Sequence, residues 1–267
     1  MLTPGLRWFL GIAAALALIA GVLLFGLATE TDRFFSWTIE PPLTAAFLGA
    51  AYWAAFALLA AAARETAWPP ARAAIPPVFA IAVLLLVATL IHLDKFDMDS
   101  IFGWFWLIVY IGVTPLLVFL VIRQARQPAP EPRRGAIPLT PPVRLALALQ
   151  GAVMLLLGAA LFIAPADANA LWPWTLTPLT ARAIGAFLVG FGVGAAYGML
   201  EDDLSLLRGA ALAYASLGAL ELAAIALHGS DVTADGPGVA LYVAFCATVL
   251  ATGVYGLVRE RSAASRS

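Results

Sequence analysis

The chain contains eight apolar segments that are each long enough to cross a lipid bilayer, and this feature limits its possible folds more than any other. A transmembrane helix needs about 20 mostly apolar residues to cross roughly 30 Å of hydrocarbon. The segments cover residues 7–28, 43–63, 75–93, 101–123, 144–164, 179–199, 205–228 and 238–258. Hydrophobic residues make up 63% of the chain and charged residues 12%, against roughly 45–50% and 25% in soluble domains. The sequence therefore predicts an all-α polytopic membrane protein with eight transmembrane helices and excludes an ordinary soluble enzyme.

The basic residues fall mostly on one side of the predicted membrane. If the first segment starts in the cytoplasm, three basic residues lie on the outer side, Arg33, Lys95 and Arg182. Twelve lie on the inner side: Arg7, Arg64, Arg72, Arg123, Arg126, Arg133, Arg134, Arg144, Arg208, Arg259, Arg261 and Arg266. Because cytoplasmic loops retain Lys and Arg, we expect a multi-pass protein of the plasma membrane with both termini in the cytoplasm. The first segment is longer than the apolar core of a signal peptide, so we interpret it as a retained span.

The second half of the sequence repeats the first. WTIEPPLTAAFLGA, residues 37–50, returns as WTLTPLTARAIGA, residues 174–186, with one residue deleted. Equivalent residues differ by 137 in number before the deletion and by 136 after it. This pattern predicts two parallel four-helix repeats, residues 1–123 and 143–267, joined by a cytoplasmic Pro- and Arg-rich linker, 124–142. Repeats of this kind are related by an axis along the membrane normal.

Each half resembles a known type of small membrane protein. The segments RLALALQGAVMLLLGAALFIAP and LTARAIGAFLVGFGVGAAY of the second half are similar to the four-helix bacterial membrane proteins of the DoxX-like kind. The resemblance implies an integral membrane protein, and some relatives are accessory to quinone-linked oxidoreductases. It implies no catalytic residue, because the shared patterns are apolar. The whole chain is then interpreted as a tandem duplication of such a unit.

The two histidines of the chain occupy equivalent positions in the two halves. His92 and His228 end the third and seventh segments at the predicted outer side. Two imidazoles at matching depth are the minimum needed to ligate a haem iron or to start a metal site. The acids that follow them could complete a metal shell, either Asp94, Asp97 and Asp99 or Asp231 and Asp235. Alternatively, the histidines are interfacial side chains with their polar tips among the lipid headgroups.

Glu221 is the charged residue that lies deepest within an apolar segment of the sequence. A carboxylate in a membrane is expensive and indicates a functional site by default. His228 follows seven residues later, about 10.5 Å along the same helical face, and is one expected partner of Glu221, while Arg182 is the other. The equivalent position in the first half is Leu85, so this site would be asymmetric. A proton-coupled or ligand-binding role and a neutral Glu hydrogen-bonded within the bundle both fit this position.

The other conspicuous side chains favour structural roles. Glu65 and Glu201 are expected to cap the helices that follow them, and Gln150 to form an interhelical hydrogen bond. The sixth segment is rich in glycines, whose spacing favours close packing within the molecule. They are Gly185, Gly190, Gly192, Gly194 and Gly198. Tryptophans near the ends of the segments suggest an aromatic belt at the membrane surface: Trp37, Trp53, Trp104, Trp106, Trp172 and Trp174.

Several functions are disfavoured by the sequence. The formal net charge of −1 lacks the basic excess of nucleic-acid-binding proteins. The single cysteine, Cys246, rules out an intrachain disulfide. Walker A, G-x-S-x-G and H-E-x-x-H motifs are missing from the sequence, which argues against hydrolases and nucleotide-driven pumps. We therefore expect no enzyme activity and no resident cofactor.

The sequence thus favours a membrane protein that binds or transports a small molecule between its halves, or an accessory membrane subunit. The predicted ligand-binding site is an outward-facing cluster of Glu221, His228 and Arg182, joined by His92 from the other half. Its partners would be the lipid bilayer, a small-molecule ligand or another membrane protein, including a second copy of the chain. The alternative is a redox component that binds haem or quinone through His92 and His228.

Overall fold

Eight long helices form the bundle in a computed structural model, which describes residues 1–128, 136–233 and 236–264. They are α1 (Pro4–Gly21), α2 (Pro42–Arg64), α3 (Ile75–Ile91), α4 (Ile101–Ala125), α5 (Pro141–Ile163), α6 (Pro178–Glu201), α7 (Arg208–His228) and α8 (Gly236–Ala264). With a π-helical turn after α1 and a short helix before α3, all eight are long and apolar enough to cross a membrane. The predicted all-α class and the eight spans are confirmed. Four residues used in the sequence predictions lie outside the described part: Arg133, Arg134, Asp235 and Arg266.

Prolines and hydroxyl side chains fix where several helices begin. Pro42, Pro141 and Pro178 occupy the first turns of α2, α5 and α6, where the missing N–H has no intrahelical acceptor to lose. Thr177 accepts a hydrogen bond from the Thr180 backbone N–H at 3.3 Å, while the Thr180 hydroxyl accepts one from the Thr177 N–H. This reciprocal cap stabilises the start of α6.

The helices of the two predicted repeats are interleaved in one bundle. α1 packs on α2 and α5 on α6, while α3 packs on α4 and α7 on α8. Between the halves, α2 packs on α7 and α6 packs on α3. Each of these helix pairs therefore has a counterpart at the equivalent place in the other half. The repeat itself stays a prediction, and its equivalences are used below to compare the halves.

Glycines allow the first two helices of each half to approach closely. A Cβ atom at Gly49 would lie 2.5 Å from the backbone nitrogen of Phe25. A Cβ at Gly185 would lie 2.6 Å from the carbonyl oxygen of Gly158 and 3.1 Å from the nitrogen of Phe162. Phe25 and Phe162 are equivalent by the offset of 137, so the same contact occurs in both halves. Neither glycine position has room for a side chain.

Two packing predictions are confirmed by contacts between helices. The Gln150 side-chain amide donates hydrogen bonds to the hydroxyls of Thr248, at 3.2 Å, and Thr252, at 3.0 Å, which ties α5 to α8. In the glycine-rich α6, a Cβ at Gly190 would overlap the side chain of Ile81 on α3. Gly185, Gly190 and Gly192 of α6 therefore serve close packing within the chain.

The predicted inner side of the bundle is held together by polar contacts. The Gln124 side chain at the end of α4 accepts a hydrogen bond from the Thr3 N–H at 2.8 Å. Arg144 at the start of α5 forms an ion pair of 2.6 Å with Asp202 at the end of α6. The Leu139 backbone N–H and Arg144 lower the pKa of Asp202 by hydrogen bonding to its carboxylate. The starts of α1 and α5 thus lie on the same side as the ends of α4 and α6, as an even number of spans per half requires.

The expected capping by Glu65 and Glu201 is wrong. The short helix that follows Glu65 begins without a side-chain cap. Glu201 forms an ion pair of 2.7 Å with Arg72 instead, because the end of α6 meets the start of the third span. Asp203 caps the short 3-10 turn Leu204–Leu206 before α7 and accepts hydrogen bonds from Ser205, whereas α7 itself begins without a side-chain cap.

The aromatic belt is also only partly present. Trp104 is exposed on the surface of α4, as a residue of such a belt should be. Four of the six predicted members are buried: Trp37, Trp106, Trp172 and Trp174. These rings pack on one another and on neighbouring helices at the predicted outer side, so they belong to the core of the bundle.

Candidate ligand-binding cavity

Glu221 lies in the interior of the bundle with one carboxylate oxygen satisfied and the other free. Its side chain is on α7 and is 2% exposed. The Tyr242 hydroxyl of α8 donates a hydrogen bond of 2.8 Å to Oε2. Oε1 is buried and has no hydrogen-bond partner among the described residues. The expected partners His228 and Arg182 are therefore wrong, because Glu221 faces α8, two helical turns from His228 and away from the α3–α6 contact that holds Arg182.

Glu221 is one of the residues that line a cavity of about 410 Å³ between α5, α7 and α8. The polar side chains among its described lining residues are Glu221, Tyr242, Cys246 and Trp172. The apolar walls are formed by Phe47, Val153, Met154, Leu157, Leu171, Pro173, Leu188, Leu217, Leu241, Phe245 and Val249. No basic side chain lies among the described residues of this wall. We call it the Glu221 cavity.

Aromatic rings close the outer end of the Glu221 cavity. The loop between α5 and α6 places Trp172 and Trp174 beside Tyr242, with ring centroids 6.0 and 5.5 Å from that of the tyrosine. The Trp174 indole N–H donates a hydrogen bond of 2.9 Å to the Thr44 hydroxyl of α2, which fixes the loop on the bundle. The Trp172 indole N–H is buried without a partner in the described structure. Two residues that line the cavity, Glu221 and Trp172, thus each have a buried polar atom without a partner among the described residues.

A smaller cavity, of about 130 Å³, occupies the equivalent place in the first half. Many of its lining residues are equivalent to residues that line the Glu221 cavity. Examples are the pairs Leu16 and Val153, Ala17 and Met154, Tyr52 and Leu188, Ile81 and Leu217, Trp106 and Tyr242, and Tyr110 and Cys246. Tyr52 and Tyr110 fill much of the space and are joined by a hydrogen bond of 2.6 Å between their hydroxyls. Leu85 stands where the second half has Glu221. Of these two cavities, the one in the second half has a carboxylate among its described lining residues and the one in the first half does not.

The aromatic rings above the two cavities also correspond. In the first half, the centroids of Phe35 and Trp37 lie 5.4 and 4.9 Å from that of Trp106. These three residues are equivalent to Trp172, Trp174 and Tyr242. Trp106 donates its indole N–H to the Thr89 hydroxyl, whereas Tyr242 in the same place donates its hydroxyl to Glu221. The exchange of Trp for Tyr accompanies the exchange of Leu for Glu.

His92 and Arg182 are brought together at the outer end of the contact between α3 and α6. Because a guanidinium only donates, the His92 Nε2 atom accepts a hydrogen bond of 2.7 Å from Arg182 Nη1. The side chain of His228, at the end of α7, forms no hydrogen bond with the described residues. His92, His228 and Arg182 are all absent from the described lining of the Glu221 cavity. The predicted cluster is thus divided into a His92–Arg182 pair and a separate Glu221 site.

Acidification should break the His92–Arg182 contact. Burial, followed by the neighbouring guanidinium and Lys95, lowers the pKa of His92 from 6.5, while Asp94 acts in the opposite direction. The unfolded chain therefore takes up this proton at a higher pH than the folded protein. The stability that the neutral imidazole contributes is present above pH 6.5 and is lost as the pH falls through the folded pKa.

Thermal unfolding measured from above pH 6.5 downward would check this, with His92→Gln and Arg182→Met as comparisons. Gln keeps an acceptor but does not titrate, so His92→Gln should flatten part of the decline in stability. Arg182→Met should raise the pKa of His92, as seen by NMR of the imidazole. An unchanged His92 pKa in Arg182→Met would contradict the electrostatic role of the pair.

The haem and metal alternatives stay predictions. In the described residues, no group of three or more His, Cys, Asp or Glu side chains is arranged to hold a metal ion. The His92 ring nitrogen that would ligate an iron faces a permanent cation, and this arrangement favours neither metal nor haem binding there.

A second, polar cavity lies between the halves at the predicted outer side. It has a volume of about 720 Å³ and is lined by residues of the loops 28–42 and 175–177 together with Asp231 and Thr233. The Asp231 carboxylate is already used, because it accepts a hydrogen bond of 3.0 Å from the Leu43 N–H at the start of α2. None of the four predicted site residues belongs to its described lining.

Comparisons with known proteins give no support for the resemblance of each half to DoxX-like proteins. No protein-family model matches the chain, and no curated protein and no solved structure gives a significant match. The resemblance to DoxX-like proteins therefore stays a prediction. What the chain does has to be argued from its own residues.

Proposed function

We propose that this multi-pass membrane protein binds a small molecule in the Glu221 cavity and that this binding is one step in transporting the molecule across the membrane. The observation that carries the proposal is that Glu221 lines the cavity while its buried Oε1 atom has no hydrogen-bond partner among the described residues. Leaving such an atom unsatisfied costs about 1–3 kcal/mol, and more for a charged group. A chain that keeps this cost at one position, where its other half has Leu85, is expected to recover it on binding a ligand.

The Glu221 cavity is suited to a ligand that enters from the lipid. Val153, Leu171 and Leu241, which belong to its lining, are 46%, 67% and 73% exposed on the outer surface of the bundle. In a membrane these side chains face lipid or the headgroup layer. Met154 also lines the cavity, and on the side toward the predicted inner surface the Tyr214 hydroxyl lies 3.8 Å from its sulfur. We propose a site open to the outer half of the bilayer and closed toward the cytoplasm.

The orientation belongs to the same proposal. The excess of arginines on one side supports placement in the plasma membrane with the first and last helices starting and ending on the cytoplasmic side. The Glu221 cavity then opens near the outer surface. Transport would require the Met154–Tyr214 contact to open after the ligand has bound.

A structure determined in nanodiscs of the source membrane lipid would test the proposed function. We expect non-protein density in contact with Glu221 Oε1, and loss of this density in the variant Glu221→Leu. The smaller cavity beneath Phe35 and Trp37 serves as an internal control, because Tyr52 and Tyr110 satisfy each other there. A Glu221 cavity that is empty, or filled by protein side chains, would contradict the proposal.

A further inference from the structure

We infer that the ligand of the Glu221 cavity is a lipophilic organic cation, of the ammonium or phosphonium class. The inference rests on the proposed binding function and names the chemistry of its ligand. It is carried by three features of the cavity: a single carboxylate, walls made of aromatic and aliphatic side chains, and the lack of a basic residue among the described lining residues.

Glu221 would need a counter-charge in order to ionise in this cavity. An ionised carboxylate in an apolar environment is strongly disfavoured unless a counter-charge accompanies it. Tyr242 supplies one hydrogen bond to Oε2 but no charge, and Oε1 receives nothing. The positive charge of a ligand would supply the missing partner, whereas an anionic ligand would be repelled. Among the described residues of the cavity wall, no basic side chain is available as the partner.

The aromatic side chains suit the same ligand. The indole ring of Trp172 and the phenol ring of Tyr242 stand 6.0 Å apart, nearly perpendicular at 75°, and Phe47 packs on Trp172 at 5.3 Å. A cation near the face of a Trp or Tyr ring is attracted by the ring quadrupole, most strongly when the site is desolvated. All three residues line the cavity that contains Glu221. Rings and carboxylate can therefore act on one cationic group.

The first half does not offer a second site of this kind. The volume of about 410 Å³ falls within the range of roughly 300–1,000 Å³ found for small-molecule sites. The equivalent cavity of the first half has about 130 Å³, is filled by Tyr52 and Tyr110, and has Leu85 in place of the carboxylate. We expect it to bind no cation.

Binding of tetraphenylphosphonium to the full chain in nanodiscs tests the inference, with tetraphenylborate as an anion of the same shape. We expect saturable binding of one tetraphenylphosphonium per chain and none of tetraphenylborate, after subtraction of the signal from empty nanodiscs. Glu221→Gln, which keeps the shape and removes the charge, should weaken binding about tenfold or more, corresponding to about 1.4 kcal/mol. Glu30→Gln, which removes a carboxylate from an outer loop, should leave it unchanged. Trp172→Phe should give a smaller loss.

The outcomes separate this inference from the proposed function. Equal binding of both ions, binding unaffected by Glu221→Gln, or no saturable tetraphenylphosphonium binding would each overturn the cationic class. If density against Glu221 is nevertheless present in the nanodisc structure, the proposed binding function stands and the ligand is an uncharged hydrogen-bond donor. If that density is missing as well, both proposals are wrong. Size-exclusion profiles establish that each variant is folded, and Glu221→Leu provides a second charge-free variant.

Discussion

Leucine at Gly185 is expected to prevent α5 and α6 from packing, and leucine at Gly49 should do the same to α1 and α2. In both places the new Cβ would meet backbone atoms at 2.5–2.6 Å, which cannot move aside as a flexible side chain would. Overpacking of this kind typically costs 1–3 kcal/mol, and here, against backbone, about 3 kcal/mol or more is expected. Fluorescence-detected size exclusion after heating would measure the loss of folded protein.

Two glycines supply matched controls for this prediction. A Cβ at Gly11 on α1 or at Gly112 on α4 would meet no atom within 4 Å, because both positions lie on open surfaces of the bundle. Gly11→Leu and Gly112→Leu should therefore unfold close to the temperature of the unchanged protein. Similar losses for Gly49→Leu and Gly185→Leu would support the repeat as a structural equivalence. A large loss at one position and none at the other would contradict it.

The number and class of the helices could be predicted because hydropathy acts locally. Each span buries its own backbone hydrogen bonds in lipid, so a run of about 20 apolar residues forms a helix whatever its neighbours are. The same argument identified Glu221, since the cost of a carboxylate in a span does not depend on knowing its contacts. What the argument could not supply is the direction in which each side chain points around its helix.

The predicted outward cluster fails for that reason. Depth along the membrane normal placed His92, His228, Arg182 and Glu221 in the outer half of the membrane, but packing decides which of them meet. α3 packs on α6, which joins His92 to Arg182, whereas α7 packs on α8, which joins Glu221 to Tyr242. The ligand-binding roles of His92, His228 and Arg182 stay predictions.

The missed partner of Glu221 did leave a signal in the sequence. Glu221 and Tyr242 are both polar, and their equivalents in the first half, Leu85 and Trp106, are both of lower polarity. Two positions that change character together between duplicated halves are candidates for contact. The buried tryptophans left a similar signal, because Trp37 and Trp174 open the repeated sequence motif and then pack in equivalent ways.

Removing the Tyr242 hydroxyl is expected to destabilise the protein, whereas removing the whole polar pair is not. In Tyr242→Phe the buried Glu221 carboxyl keeps no hydrogen-bond donor, and a loss of about 1–3 kcal/mol is expected from such an orphaned group. In Glu221→Leu/Tyr242→Phe the orphan is gone, and replacing a buried polar pair by apolar side chains is often neutral or stabilising. The first half has Leu85 and Trp106 at the equivalent positions, so we expect this place in the second half to tolerate Leu.

Chemical denaturation of the single and double variants in detergent, treated as a double-mutant cycle, measures the coupling between the two side chains. Tyr214→Phe is the control, since the Tyr214 hydroxyl has only long contacts, 3.4 Å to the Phe191 carbonyl and 3.8 Å to the Met154 sulfur. A double variant as unstable as Tyr242→Phe would contradict the account of the pair. A double variant that is stable and no longer binds tetraphenylphosphonium would mean that the pair serves ligand binding and not folding. Folding alone would favour Leu in place of Glu221, as the first half has Leu85 at the equivalent position.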